Sequence, residues 1–490
     1  MSESQPTAKW SVPHEPCSIP YEPLETYEQV IDYLYGRINY ERARAESYGP
    51  HDFKLDRMHL LLELLGHPEY QIPALHVAGT KGKGTVCTLL ATALSAHGYR
   101  TGLYTSPHLV RFEERIRVDG QSPTPEELVA LVNQVRAVVI RMDQRPARYH
   151  PTYFEIATAL AWLDFQRRGV QWAVLETGLG GRLDSTNLCR PRVTVITNVS
   201  RDHMHILGDT VAEIAREKAG IIKPNIPLIC GAEHPDAQRV IHNQAQTLQA
   251  PVWQWGRDIH AELVPPTTRD DVDPQHDCRY LSVSSPLGTW SCLPVVLPGD
   301  HQLVNAALAA ATLQRLSLEG VPIKPEAVRQ AWQTVHWPGR IEVLAHRPTV
   351  IIDAAHNWAS TRALLQTLSQ RCTHHARRYL IFATSRDKDY RGILRQLVPW
   401  FDTLIFTRFL ENPRALPAED LQEFVLASCR RPAHLAADPY TAWKMARRLV
   451  TTDDLIVITG SFFLIGELRD LILEESKECP PSTTMNMYVP

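Results

Sequence analysis

The sequence predicts an α/β protein of two modules: a P-loop-type, mostly parallel sheet domain with a small antiparallel sheet, then a second, Rossmann-like α/β domain. Three observations predict it. Short apolar runs (ALHVAG, QWAVLE, VTVITN) alternate with segments of helical periodicity, the pattern of parallel strands buried on both faces. A glycine- and lysine-rich loop, Gly79-Thr80-Lys81-Gly82-Lys83-Gly84-Thr85, stands between one such run and a helix. The strand–helix alternation then starts afresh after Trp337-Pro338-Gly339.

With 490 residues, the chain is too long for one typical core, so two or three domains are expected. Lys and Arg number 51 against 54 Asp and Glu, a formal charge of −3 without the basic excess of a nucleic-acid binder. The longest apolar stretch, around LIVITGSFFLIG, is interrupted by Gly and Ser and too short to span a bilayer. The N-terminus is polar and lacks the apolar core of a signal peptide. Nine cysteines are scattered singly, with no CxxC, as reduced thiols would be. These features predict a cytoplasmic protein with small-molecule substrates and no nucleic-acid or membrane partner. A monomer is expected, because the candidate sites lie within one chain.

In order, residues 1–24 are expected to be a flexible leader and 25–336 the first domain. It opens with two helices between 25 and 66, closed by Gly66, then the strand ALHVAG. TVCTLLATALSAHG is a helix closed by Gly98, and RTGLYTSP a second strand. A helix over 153–168, strands over 171–177 and 193–198, a helix over 210–219, the strand PLICG and a helix over 236–248 continue the alternation. Residues 251–298 change to short β-like runs between Pro/Asp clusters, which suggests the small antiparallel sheet, and an Ala-rich helix follows over 301–316. The second domain, 337–476, carries the strands TVIID, RYLIFAT, DTLIFT and DLIVITG; residues 477–490 are expected to be a flexible tail.

The loop carries the sharpest chemistry. Glycines let backbone N–H groups approach phosphate oxygens, and the following helix start adds a positive dipole end. Lys83 can reach terminal phosphates, and Thr85 can face them or a magnesium ion. The strict GxxxxGK[ST] pattern is not met, because Val77 takes the first glycine position and Gly84 separates Lys83 from Thr85. A Gly/Lys-rich surface turn is the bland alternative, and the flanking strand and helix argue for nucleotide binding.

Other candidates sit at strand ends, where open α/β sheets bind ligands. Glu176 ends QWAVLE and suits Mg²⁺, or is a surface Glu. His203 follows VTVITNVS and could ligate metal or orient phosphate, or cap a helix; His205 is read as a surface residue. Lys218 sits near a helix C-terminus, where a lysine ordinarily compensates the dipole. In the second module, Asp353 and His356 end TVIID and could hold a ribose or base, and Arg340 could neutralise a moving phosphoryl group. Helix capping and packing explain His301, Gln302 and Asn305 as well as nucleotide contact does, and the loop Ser385–Asp389 is either solvated or site-lining.

Taken together, HVAGTKGKGT, GLYTSPHLVRFEERIRVDG, ETGLGGRLDSTN, TNVSRDHMHILGDT, AREKAGIIK, PGDHQLVNAA, WPGRIEV, DAAHN and ITGS resemble the folylpolyglutamate synthase/dihydrofolate synthase family of the Mur ligase superfamily, over about residues 27–470. The resemblance implies that Gly79–Thr85, with Lys83, binds ATP phosphates and that Gln302, Asn305, Arg340, Asp353 and His356 contact ATP from the domain interface. It implies that Ser106, Glu176 and His203 serve two magnesium ions. Lys218 matches a lysine that is carbamylated in the family; a carbamate is an anionic oxygen ligand where an ammonium cannot ligate a cation. Residues 106–117 resemble a mobile loop near the pterin site. Two departures stand out: Lys81 where many bacterial members have Asn, and DAAHNW in place of DGAHNP.

The reaction implied is ATP-dependent ligation of glutamate to a folate-type carboxylate through an acyl phosphate, releasing ADP and phosphate. Lys83, Arg340, His203 and Lys218 would be its catalytic residues. A Mur-type ligase acting on a muramyl peptide is the alternative within the class. A P-loop kinase lacks a use for the second module, and a non-catalytic nucleotide-binding regulator has no need of Lys83, Glu176, His203 and Lys218 together.

Overall fold

The computed structural model describes residues 22–43, 49–265 and 278–478. Helix α1 (Tyr27–Tyr35) starts at a capping box in which the Thr26 hydroxyl accepts from Gln29 N while the Gln29 side chain accepts from Thr26 N. Helix α2 (Asp56–Leu64) is capped at Leu65, one residue before the Gly66 expected there. Gly66 follows with φ +81° and turns the chain toward the first strand.

The first sheet has seven strands, β1 (Ala74–Ala78), β2 (Thr101–Tyr104), β3 (Ile116–Val118), β4 (Trp172–Glu176), β5 (Pro191–Ile196), β6 (Leu228–Cys230) and β7 (Val252–Gln254). Their spatial order is β3-β2-β4-β1-β5-β6-β7, all parallel except β3, which runs antiparallel to β2. β7 corrects the reading of 251–298 as wholly antiparallel: its residues extend the parallel sheet. The antiparallel sheet is β8 (His260–Val264), β9 (Arg279–Ser285) and β10 (Gly288–Val295), in the order β10-β9-β8.

Both faces of the large sheet are covered. Helix α3 (Lys83–Ala96) shares one core with the small sheet and two later helices described below. On the opposite face, α1 and α2 pack with α4 (Pro125–Asp143) and α5 (Tyr153–Arg167) around Trp162, Phe165 and Tyr153. Helix α4 has no counterpart among the expected elements, although Thr124-Pro125-Glu126-Glu127 is a capping box with Pro in the first turn. The short α6 (Met204–Leu207), then α7 (Val211–Ala219) and α8 (Pro235–Thr247), fill the side of β5 and β6. Helix α9 (His301–Ser317) presents buried Ala306, Ala307, Ala309, Ala310 and Ala311; their small side chains let it lie close to α3, and α10 (Pro325–Gln333) adds the buried Trp332. Each large apolar side chain buried this way contributes about 1.5–3 kcal/mol.

The second sheet has six strands, β11 (Glu342–His346), β12 (Thr349–Asp353), β13 (Arg378–Phe382), β14 (Thr403–Phe406), β15 (His434–Leu435) and β16 (Leu455–Thr459), in the order β11-β12-β16-β13-β14-β15. Only β11 is antiparallel to its neighbour. Helices α11 (Trp358–Arg371), α12 (Tyr390–Leu397) and α13 (Ala418–Cys429) cover one face, and α14 (Pro439–Leu449) and α15 (Phe462–Glu478) the other.

The leader expected over 1–24 lies outside the described residues except for its last three, and those are held: Leu24 N donates to Asn133 Oδ1 at 2.8 Å and Arg136 donates to the Glu22 carbonyl. The tail expected from 477 lies outside them beyond Glu478, where α15 reaches past the expected boundary. Among the described residues, the seven cysteines are free and no helix is long and apolar enough to cross a membrane.

Parallel register decides where the chemistry gathers. Val77 lies opposite both Glu176 and Val195, so the glycine loop, Glu176 and the segment after β5 leave the sheet at one edge. In the second sheet Asp353 and Phe382 both lie opposite Thr459, which brings 353–357, 384–388 and 460–461 to one edge. The two edges meet: Lys81 Nζ lies 3.2 Å from His356 Nε2.

Candidate active site

The phosphate loop is held from behind by residues after β5. Asn198 Oδ1 accepts from Lys81 N at 2.9 Å, while Thr197 Oγ1 and Asn198 Nδ2 both donate to the Lys81 carbonyl. The loop therefore turns with its backbone satisfied before α3 begins at Lys83. Gly82 sits at φ +83°, and a Cβ there would meet Asn305 Oδ1 at 2.2 Å. A Cβ on Gly84 would meet Trp337 at 2.9 Å and Glu176 Oε2 at 3.3 Å. Close packing thus explains why glycine stands where the strict motif has a hydroxyl residue. Trp337 packs against Gly84 of the loop and against the core shared by α3 and α9.

Glu176 is buried and accepts from Ser106 N at 3.1 Å through Oε2, while Oε1 lies 3.8 Å from Lys83 Nζ, beyond hydrogen-bond reach. Burial raises its carboxyl above the usual range, and Lys83 and then the Ser106 backbone act in the opposite direction. Gly84, Ser106, Glu176, Trp337, Arg340 and Phe462 line one pocket. His203 has a left-handed backbone (φ +50°), a conformation that recurs at functional sites in non-glycine residues. Burial pushes its imidazole down to about 3, with Lys388 acting the same way, so the ring is neutral and free to offer a lone pair. Lys218 is buried, donates to the Gly79 carbonyl at 2.9 Å, and is pushed down to about 7 by burial and then by Lys83. This is not the solvated dipole-compensating lysine of its helix position. His205 is exposed, as expected.

From the second module, Asp353 is buried and accepts from Ile341 N at 3.0 Å and Ala355 N at 2.8 Å; burial raises its carboxyl to about 6 against the pull of Arg340. The Arg340 guanidinium stacks 5.0 Å over the Phe462 ring, which leaves its edge for ligand. His356 Nδ1 donates to the Ala354 carbonyl at 2.8 Å, since a carbonyl can only accept, and Nε2 is thereby the acceptor facing Lys81. Gln302 and Asn305 are buried on the first turns of α9, joined by a 2.8 Å hydrogen bond, with Asn305 against Gly82. Thr80 is tied to Ser200 in both directions, and Thr85 is buried in α3.

A cleft lies between the modules and shares Ser106, Pro107 and Phe462 with the pocket beside Glu176. Ser106, His203 and His356 line it, as do groups with no assigned role in the sequence: Phe53, Arg57, Phe154, Glu155, Asp184 and Arg414. The loop Ser385–Asp389 is site-lining, through Ser385 and Lys388. Asp184 organises the glycine-rich turn after Glu176 by accepting from Gly178 N, Leu179 N, Thr186 N and Thr186 Oγ1. Its Asp-x-Thr spacing was a local signal for that role. Arg57 and Glu155, buried and paired at 3.0 Å, carry no such signal, because 98 residues separate them.

A P-loop domain whose strand ends face those of a second α/β domain across one cleft is the architecture of a Mur-type ligase. The Mur ligase middle domain matches residues 77–313, and the Mur ligase glutamate ligase domain residues 339–462. The chain is 36% identical to the dihydrofolate synthase/folylpolyglutamate synthase of Bacillus subtilis, over 88% of its own length and 98% of that protein's. It is also 36% identical to the folylpolyglutamate synthase of Lacticaseibacillus casei, covering 85% and 94%. Among solved structures, Mycobacterium tuberculosis folylpolyglutamate synthase complexed with ADP superposes with a TM-score of 0.80 at 31% identity, over 91% of this chain and 98% of that one. Escherichia coli FolC in complex with DHPP and ADP superposes with a TM-score of 0.77 at 28% identity, over 93% and 99%. The chain belongs to the dihydrofolate synthase/folylpolyglutamate synthase family, ATP-dependent ligases that join glutamate to folates.

Proposed function

We propose that this chain ligates L-glutamate to the carboxylate of a folate-type substrate, using ATP to form an acyl phosphate and releasing ADP and phosphate. One observation carries the reading: Gly84 of the phosphate loop and Glu176, whose Oε1 lies 3.8 Å from Lys83 Nζ, line a pocket together with Arg340 of the other module, and that pocket shares Ser106, Pro107 and Phe462 with the cleft lined by His203 and His356.

The loop backbone from Gly79 to Thr85 and the Lys83 ammonium hold the terminal phosphates, and Lys83 and Arg340 offset charge on the moving phosphoryl group. Gln302, Asn305, Asp353 and His356 orient the nucleotide between the modules. The oxygen donors fit magnesium: a buried carboxylate with one oxygen outside hydrogen-bond reach of Lys83, and a hydroxyl on Ser106 in the same pocket; the neutral imidazole of His203 would add a nitrogen donor. Ser106, Glu176 and His203 would hold two such ions, which supply electrostatic stabilisation to the phosphates. Lys218, as a carbamate, would add an anionic oxygen. The cleft aligns the folate carboxylate with the phosphate end and the glutamate amine with the acyl carbon; orientation of this kind is worth up to about 7–11 kcal/mol. The exclusion of water by Trp337 and the second module protects the acyl phosphate from hydrolysis. The enzyme works as a cytoplasmic monomer in this reading.

The test is ADP release with Mg-ATP and glutamate, with dihydropteroate and tetrahydrofolate as separate acceptors. Lys83→Ala is expected to lower kcat by about 10²–10³ with an unchanged melting temperature. Turnover with both acceptors makes the enzyme bifunctional, and turnover with tetrahydrofolate alone makes it a polyglutamate synthase. No glutamate-dependent turnover with either sinks the reading.

A further inference from the structure

Asp202 is twelve per cent exposed at its side chain, belongs to the first module, and is surrounded by groups from both. Its Oδ2 accepts from Lys81 Nζ at 3.0 Å and from Asn357 Nδ2 of the second module at 3.2 Å. Its Oδ1 accepts from His203 N at 3.0 Å and lies 4.0 Å from Lys388 Nζ, again of the second module. Lys81 also reaches across, donating to His356 Nε2 at 3.2 Å. Two ammonium groups, one from each module, are therefore brought to a single carboxylate. Without it, Lys81 and Lys388 would confront each other and oppose the approach of the modules. No other carboxylate is paired with Lys81 among the described residues.

We infer that Asp202 is the clasp between the two modules, a positioning residue that holds the 353–357 edge against the phosphate loop through Asn357, Lys388 and Lys81. The inference rests on the two-module ligase reading. It explains the departure at Lys81: a lysine spans from the phosphate loop to His356, adding a charged cross-module contact. Asn357 is well placed for the role because its Oδ1 accepts from Ser360 N at 3.0 Å as the N-cap of α11, so its amide is aimed by the helix it caps.

The experiment is a two-residue exchange. Asp202→Asn removes the carboxylate; Asn357→Asp keeps the helix cap and sets two carboxylates against each other. Each variant is expected to lower kcat about tenfold or more and to scatter X-rays as a more extended particle than the native protein with a non-hydrolysable ATP analogue. The double variant, Asp202→Asn with Asn357→Asp, restores one carboxylate and one amide across the gap and is expected to recover at least about threefold over the Asp202→Asn single variant. Single variants as compact as the native protein, or a double variant whose loss is the product of the two single losses, overturn the clasp. Calorimetry with ADP separates this from the functional reading: native protein that neither binds ADP nor turns over defeats the ligase assignment, whereas variants that bind ADP and fail to close report on Asp202.

Discussion

The Lys218 amine donates to the Gly79 carbonyl at 2.9 Å, joining residues 139 positions apart directly beneath the phosphate loop. Burial and the nearby Lys83 push this amine down to about 7, so near neutral pH a large share of it is unprotonated. Only the free amine reacts with CO₂, so carbamate formation is favoured above pH 7 and lost as pH falls through it. Activity is expected to fall in CO₂-depleted buffer and return with bicarbonate, and Lys218→Ala to lose about a hundredfold or more without responding to bicarbonate. Full native activity in CO₂-free buffer would remove the carbamate from the mechanism.

Gly82→Ala introduces a Cβ at φ +83° that meets Asn305 Oδ1 at 2.2 Å. The left-handed backbone costs an alanine about 1–2 kcal/mol, and the clash displaces either the loop or the Gln302–Asn305 pair. ADP affinity measured by calorimetry should fall about tenfold or more. The melting point of the variant without nucleotide should fall by only a few degrees, about 2–4 °C per kcal/mol lost. An unaltered affinity would place the phosphates elsewhere.

Glu155→Ala leaves Arg57 buried without its partner and removes the capping box of α5, in which Glu155 Oε2 accepts from Thr152 N at 2.7 Å. Loss of one partner of a buried pair typically costs about 3–5 kcal/mol. Urea unfolding followed by hydrogen exchange in α5 should show the first module destabilised. The α11–α15 protection should be retained. A shift under about 1 kcal/mol would mean that water replaces the carboxylate.

Asp353 gives a pH signature. Its carboxyl is raised from 3.8 to about 6 in the fold, mainly by burial. Between those values the folded state binds the extra proton, so this residue favours folding below pH 3.8 and that contribution is lost as pH rises through 6. The difference is about 3 kcal/mol. Asp353→Asn should flatten the dependence of the second module's stability between pH 4 and 7, as read from melting temperatures relative to the native protein. Parallel curves for the two proteins would contradict the shift.

Much of the fold was legible because buried parallel strands leave a local trace. QWAVLE and TVIID are apolar up to a terminal carboxylate, and ALHVAG is apolar but for His76. Val252–Gln254 was misplaced because three residues read the same on either sheet; only the register with Leu228–Cys230 assigns them. The glycine- and lysine-rich loop, Glu176 and Asp353 could be picked out as candidates because each lies at or directly after a strand end.

The sequence by itself determined the α/β class with its two sheets, the strand–loop–helix around Gly79–Thr85 and the placing of candidate residues at strand ends, since each depends on neighbours a few positions away. Only the tertiary structure decided that Lys218 is buried under Gly79, that Arg57 meets Glu155, and that Asp202 joins Lys81 to Asn357 and Lys388. Those contacts depend on sheet register and on how the two modules dock, which no local spacing records. Their charges matter because the fold removes them from water, where an isolated lysine or carboxylate would have remained unremarkable.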